Sequence, residues 1–309
     1  MSKNLKILNM KRIKPFLYLF LAAAAVSCEQ ENPLDNEQYK KEVYIVGSNQ
    51  SNNQGLSLVQ LPYLQSETEE VPTFISVAVG GSKDTDRDIR VSVEEAGSAA
   101  LSHYNFLYLF GATDVRYQYL SGSFYRIPET NVTIKAGESY ARIPIFIKTA
   151  ELEADSLYAL TFKLSSVSDP DYVSIRKRDS VLMFSVRLNN DFSGTYQLEG
   201  SYIKEVPTNP NDLTPFPVST TRTLKAVNHN TVRFVHTANK ETLANAATLG
   251  VSVKVNQDNT VELSPWGTFA LIDGGGSYDP VQGAFNIWYT FKENNVVYKF
   301  TGKYMKSNI

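Results

Sequence analysis

Along Phe285–Phe291 the side chains alternate in character. Phe285, Ile287, Tyr289 and Phe291 fall on one side of an extended chain, and Asn286, Trp288, Thr290 and Lys292 on the other. Trp288 is the one large aromatic on that polar side. An indole flanked by amide, hydroxyl and ammonium groups suits a sugar: the ring covers an apolar C–H face while the neighbours hydrogen-bond the hydroxyls. The competing reading has Trp288 closing the interior of a barrel. Trp266, between Pro265 and Gly267, and Tyr278, after Gly274-Gly275-Gly276, are expected in turns. There each either meets a ligand or plugs a barrel end. Tyr117 and Tyr119 alternate with Arg116, Gln118 and Leu120 and are expected in a loop open to a ligand. Tyr104, Phe106, Tyr108 and Phe110 share one face of a strand and read as core.

Residues able to do covalent chemistry are sparse. The chain has three histidines, His103, His229 and His236, and none of the nucleophile-elbow, zincin or phosphate-loop motifs. His229 and His236 are an odd number of residues apart, so a regular strand would point them to opposite faces. The acid pairs Glu69/Glu70 and Glu94/Glu95 are adjacent, and in a strand they too diverge. A glycosidase needs two carboxylates facing one bond. Asp84, Asp86 and Asp88 alternate, and Glu95 completes a twelve-residue calcium-loop spacing, but Ile89 stands where that loop needs glycine. The expectation is a solvated turn leading into a strand. No enzyme activity, metal or cofactor is expected.

Cys28 is the only cysteine, so neither a disulfide nor a thiolate metal site holds the fold. It follows Lys11, Arg12 and Lys14, the uncharged run Pro15–Val26 and Ser27. A basic segment, a short apolar run and small residues at a cut describe a secretory signal. The run is too short to span a bilayer, which takes about 20 residues. A cysteine just after the cut resembles the bacterial lipobox, in which the thiol is acylated; Ala25 stands where leucine is usual. Met10, directly before Lys11, would start a signal of ordinary length. The polar stretch from Glu29 to Glu37 reads as a flexible tether, and its acidic residues resemble the surface-export signal of Bacteroidetes lipoproteins. Residues 1–27 are thus read as signal peptide and 28–37 as tether. An acyl chain there would anchor the protein to the outer membrane, facing the exterior.

The rest of the chain reads as strands. Runs of period two, bounded by Gly, Pro, Asn, Asp and Ser, recur with no long amphipathic helix between them. Eight lie before residue 190, including Thr73–Val79, Ile89–Glu94 and Tyr140–Ile147, and point to a sandwich. Gly97–Tyr104 reads as a short helical turn between them. Eight more follow, including Gly194–Val206, Gly250–Val255, Thr268–Leu271 and Val296–Tyr304, and suit an up-and-down barrel or a second sandwich. Leu243–Leu249 reads as a helix. Asn and Asp at 257–260 and 293–295 mark tight hairpins. The boundary falls at Asn189-Asn190-Asp191, giving domains 38–190 and 191–309. Net charge is −2 with no basic stripe, which argues against a nucleic-acid partner.

Several segments in order carry a resemblance. Asp88–Val93, Tyr104-Asn105, Tyr125–Pro128 and Val132–Glu138 resemble an N-terminal immunoglobulin-like domain of unknown function found in Bacteroidetes surface lipoproteins. Phe192–Tyr196 and Tyr278-Asp279-Pro280 with Phe285 and Trp288-Tyr289 resemble the lipocalin-like or barrel-like C-terminal domains that accompany it. The resemblance implies an all-β fold, an immunoglobulin-like β-sandwich followed by an antiparallel barrel, and a place in polysaccharide-utilisation gene clusters. It assigns no binding residues. Asp155-Ser156-Leu157 and Asp179-Ser180-Val181 also resemble the acceptor triplet for O-glycosylation in these bacteria.

The expected function is passive capture of a polysaccharide or oligosaccharide at the cell surface, beside an outer-membrane transporter complex. The candidate contacts are Trp288, Trp266, Tyr278, Tyr117 and Tyr119. The alternatives are an adhesin or pilus-type subunit and, third, a carbohydrate-active hydrolase.

Overall fold

The structure is a computed structural model that describes residues 36–48, 55–173, 180–237 and 241–307. Cys28, the signal segment and most of the tether lie outside these residues, as does Asp179. The first part contains β1 (Val43–Ile45), β2 (Leu56–Pro62), β3 (Val71–Val79), β4 (Ile89–Glu95), α1 (Gly97–Tyr108), β5 (Tyr117–Tyr119), β6 (Tyr125–Arg126), β7 (Asn131–Ile134), β8 (Tyr140–Ile147), β9 (Leu157–Val167) and β10 (Leu182–Asn189). They form two sheets, ordered β1-β3-β8-β6 and β2-β10-β9-β4-β7, with β5 added beside β9. β4 and β8 alternate because their sheets have one dry face and one wet one there, whereas Leu182–Val186 of β10 is buried on both faces. On β8, Ile143, Ile145 and Ile147 point inward and are buried, while Tyr140, Arg142 and Pro144 point outward. The inward residues meet Val77, Ile89, Ile134, Leu160 and Phe184 in one core. Each such side chain contributes about 1.5–3 kcal/mol by leaving water.

The second part contains β11 (Gly194–Lys204), β12 (Phe216–Ala226), β13 (Thr231–Val235), α2 (Leu243–Leu249), β14 (Gly250–Val255), β15 (Thr260–Trp266), β16 (Leu271–Asp279), β17 (Ala284–Glu293) and β18 (Val296–Lys306). The eight strands run up and down, and β18 closes on β11 to complete a barrel without edges. Side chains fill its interior, so it is a packed core and not a ligand cup. Tyr196, Phe234, Phe285, Tyr289, Phe300 and Tyr304 are all nearly inaccessible there. Gly200 and Gly302 oppose each other on the inner face. A Cβ on Gly302 would stand 2.5 Å from the ring of Phe300, so the glycines make room for it. The hairpin after β17 turns through Asn294 and Asn295, at φ 48° and 63°, a backbone that asparagine tolerates.

Three expectations are corrected. Gly97–Tyr104 extends to a helix of 12 residues, α1, and the supposed strand of Tyr104, Phe106, Tyr108 and Phe110 does not exist. Leu101 and Tyr104 pack inward against Tyr117 and Met183, whereas Phe106 and Phe110 are 76% and 77% exposed. Thr268–Leu271 is not a strand. The strand there is β16, and it runs straight through Gly274-Gly275-Gly276.

Candidate functional site

The wall of the barrel around β17 keeps the alternation read from the sequence. Phe285, Ile287, Tyr289 and Phe291 enter the core. Trp288 therefore points outward, which removes the reading in which it closes the barrel interior; it is partly exposed. Its cross-strand partners are Gly275 on β16 and Thr301 on β18. Glu262 follows beside Gly275, and Ser201 beside Thr301. Glu262, Gly275, Trp288, Thr301 and Ser201 thus form one row across five strands, about 19 Å long at the usual strand spacing. Ser277, Asn286 and Lys303 make the row on one side, and Asp273, Thr290 and Lys299 the row on the other.

Gly275 decides how the indole lies. With no side chain across from it, Trp288 leans over the neighbouring strand. Its Cζ2 and Nε1 are each 3.8 Å from where a Cβ on Gly275 would be. The ammonium of Lys299 stands 5.2 Å from the ring centroid, within cation–π range. The carboxylate of Glu262 accepts from the Asn256 amide at 3.0 Å and lies 3.4 Å from the Lys254 ammonium; both interactions hold its pKa below the ordinary glutamate range. The result is a sheet face with one aromatic plate, cations and anions of mixed sign, hydroxyls and an amide. It offers apolar contact to a C–H face and both donors and acceptors to hydroxyls.

The other predicted contacts are committed elsewhere. Trp266 ends strand β15 and is not in a turn; the guanidinium of Arg233 lies 4.3 Å from its ring centroid. Tyr278 is also in a strand. It packs on Phe285 at 4.8 Å and edge-on to Phe192 at 5.0 Å, closing one barrel end, the second of its two expected roles. Tyr117 is buried and not loop-borne, because Asn105 of α1 donates to its carbonyl and accepts from its N–H, tying the helix over it. Tyr119 is half-buried and donates to Glu95, as does Tyr125. Burial and the adjacent carboxylate raise the pKa of both hydroxyls.

The acidic run is spent on local structure. Asp86 pairs with Arg87, and Asp88 accepts from Lys135 and the Ala136 N–H. Among the described residues no three His, Cys, Asp or Glu side chains are placed to hold a metal ion. Sequence reasoning missed a cluster at the junction of sandwich and barrel. Fully buried Arg233 of β13 donates to Asp155, which precedes β9, and to Glu241, which precedes α2. No spacing joins residues 155, 233 and 241, so only the packed fold reveals them. Beside them lies a cleft of about 550 Å³ lined by Tyr63, Ser156, Tyr158, Thr223 and Lys225.

Two family models divide the chain between them. One, for an N-terminal domain, matches residues 39–171, and the other, for a C-terminal domain, matches residues 180–305. The chain thus carries, in that order, an N-terminal and a C-terminal domain that these two models describe. The C-terminal match starts ahead of β10, the strand that completes the sandwich. No curated protein matches the chain. Among solved structures it is similar to a Bacteroides ovatus protein of unknown function, at 15% identity and TM-score 0.59, over 85% of this chain and 93% of that one. It is also similar to a Bacteroides ovatus multidomain protein that includes DUF1735, at 15% identity and TM-score 0.58, over 86% and 94%. A third is an auxiliary nutrient binding protein from Bacteroides thetaiotaomicron, at 15% identity and TM-score 0.56, over 84% and 93%. At these identities the likeness is one of fold.

Proposed function

We propose that this protein is a glycan-binding surface lipoprotein that does no chemistry on its ligand. The observation that carries the reading is the outward placement of Trp288 on a polar sheet face, over a glycine and between rows of hydroxyl, amide and charged groups. The face mixes both charge signs, so the ligand is a neutral polysaccharide or oligosaccharide. It docks one ring on the indole and spreads its hydroxyls over Thr301, Asn286 and Asp273. The shared fold of an auxiliary nutrient binding protein supports the same class of role. Acylation of Cys28 would hold the protein at the outer membrane, facing outward, where it hands glycan to a transporter complex.

Native gels cast with a panel of neutral polysaccharides test the binding. At least one should retard the wild type, and Trp288→Ala should weaken retention about tenfold or more, the usual scale for an aromatic anchor. If no polysaccharide retards the wild type, the reading is wrong. The mass of the protein extracted from its native membrane tests the anchor: an uncut leader or a free thiol at Cys28 would remove it.

A further inference from the structure

The cleft beside Arg233 opens where sandwich and barrel meet. Its volume of about 550 Å³ lies within the range of small-molecule sites, roughly 300–1,000 Å³, and such sites favour the meeting line of two domains. The sandwich supplies one wall, from Gln60 of β2, Tyr63, the turn that leads into β9 and the end of β10. The barrel supplies the other, from the start of β11, residues 223–226 of β12 and Glu241. Two ties fix the spacing of these walls. One is the short link through Asn190, whose amide donates to the carbonyls of Asn228 and Thr231. The other is Arg233 of the barrel, which donates to Asp155 in the turn before β9. The space is therefore formed before any ligand arrives.

Some of the polar side chains that line the cleft are already engaged. Tyr63 donates to the Leu152 carbonyl at 2.9 Å, and the Lys225 ammonium lies 3.1 Å from Asp155 and 3.5 Å from Glu241. Others are not. Among the described residues the Gln60 amide, the Ser156 and Thr223 hydroxyls and the Arg187 guanidinium have no side-chain hydrogen-bond partner. Gln60 and Arg187 sit side by side in the register of β2 and β10. Half-buried Tyr158 accepts from the Glu153 N–H at 3.2 Å, which places its hydroxyl and leaves the proton free to donate. Leu157 and Leu188 add apolar contact. The charged lining residues balance, Arg187 and Lys225 against Glu153 and Glu241, so a ligand of either sign gains little.

We infer that this cleft is a second binding site, which takes a short neutral oligosaccharide between sandwich and barrel. Amides and hydroxyls both donate and accept, and so do the hydroxyls of a sugar, so Gln60, Ser156 and Thr223 can pair with a polyol in either sense. The apolar lining meets its C–H faces. The site differs from the Trp288 face in shape. An open sheet face accepts the interior of a long chain, whereas a cleft walled by two domains takes a short chain or a chain end.

The test is calorimetric titration of the full chain carrying Trp288→Ala, so that the barrel face is silent. The probes are maltohexaose, cellohexaose, xylohexaose and mannohexaose, with a neutral Ser–Gly hexapeptide as control. At least one hexasaccharide should bind at a single site. Adding Thr223→Trp, which fills the cleft from the barrel wall, should abolish that binding. Adding Gln60→Ala instead should weaken it about fivefold, the scale of a neutral hydrogen bond. Both positions are exposed, so the melting curves of these variants should overlay that of their parent. The site does not exist if none of the four hexasaccharides binds the Trp288→Ala protein, or if Thr223→Trp and Gln60→Ala both leave binding unchanged. If the peptide binds as well as the sugar, the ligand class is wrong. Polymer retention by the Trp288 face is read separately in gels, so failure of one site does not mask the other.

Discussion

At His236 the ring sits inside the barrel, with Nδ1 2.6 Å from the hydroxyl of Tyr289 and the rings of Phe291 and Phe269 at 4.3 Å and 5.3 Å. Burial, together with the nearby charge of Arg222, pushes its pKa down from 6.5 to about 4. In the unfolded chain the ring takes its proton near the ordinary value, so between those two pH values the unfolded state holds more protons. Stability must therefore fall as pH drops from 6.5 toward 4. The shift corresponds to about 3 kcal/mol at full effect. Urea midpoints measured at pH 7 and at pH 4.5 should separate by more in the wild type than in His236→Gln, whose side chain takes no proton. Equal separations in the two proteins would mean that the ring is not the group responsible.

At the scale of elements, the glycine triplet in β16 shows how a strand is shaped by its neighbour. Gly276 has φ 153°, and a Cβ there would stand 2.0 Å from the carbonyl oxygen of Asn286. A Cβ on Gly275 would meet the Val261 carbonyl oxygen at 3.7 Å and the Trp288 ring at 3.8 Å, both ordinary contact distances. Gly276→Ala should thus force β16 away from β17 and cost about 1–3 kcal/mol, as backbone strain of this kind does. Gly275→Ala should leave the melting temperature near that of the wild type while altering the seat of the indole. Equal melting temperatures for the two variants would contradict this. The same triplet explains a misreading. Glycines signal a turn in one dimension, whereas here they answer a close approach by β17 that no local pattern records. Strands with one wet and one dry face, such as Asn131–Ile134 and Tyr140–Ile147, were legible to the residue because period two follows directly from that division. The alternation of Tyr104, Phe106, Tyr108 and Phe110 misled for the opposite reason. Leu101, Tyr104, Asn105 and Tyr108 also keep helical spacing, and the helix wins because Leu101, Tyr104 and Asn105 reach the layer of Tyr117 and Met183 while Tyr108 packs on Tyr104. The outward side of Trp288 was legible because alternation along its own strand sets it, although Gly275, Thr301 and Lys299 around it come from neighbouring strands. The fates of Trp266 and Tyr117 were not, since Arg233 and Asn105 come from elsewhere in the fold.

For the molecule as a whole, the question is what makes sandwich and barrel one body. Each has its own hydrophobic core. β10 ends at Asn189 and β11 starts at Gly194, and within this link the Asn190 amide donates to the carbonyls of Asn228 and Thr231 at 2.7 and 2.9 Å. The stronger tie is Arg233. It is completely buried, donates to both oxygens of Asp155 at 2.6 and 2.9 Å, and reaches Glu241 on its other side at 2.6 Å. Its hydrogen bonds hold the Asp155 carboxyl down at about 2. A buried ion pair adds little net stability when intact, because desolvation offsets most of the attraction. Removing one member is costly, about 3–5 kcal/mol, because the partners keep their charge and lose its compensation. Arg233→Ala would leave Asp155, contributed by the sandwich, facing Glu241, contributed by the barrel, with only Lys225 between them, 3.1 Å from the first and 3.5 Å from the second. The damage should therefore fall on the junction and not on either core. In calorimetry the wild type should unfold in one transition, and Arg233→Ala in two, the first at a lower temperature. A single transition in the variant at the wild-type temperature would mean that the two halves are coupled without this guanidinium, and that the short link through Asn190 suffices.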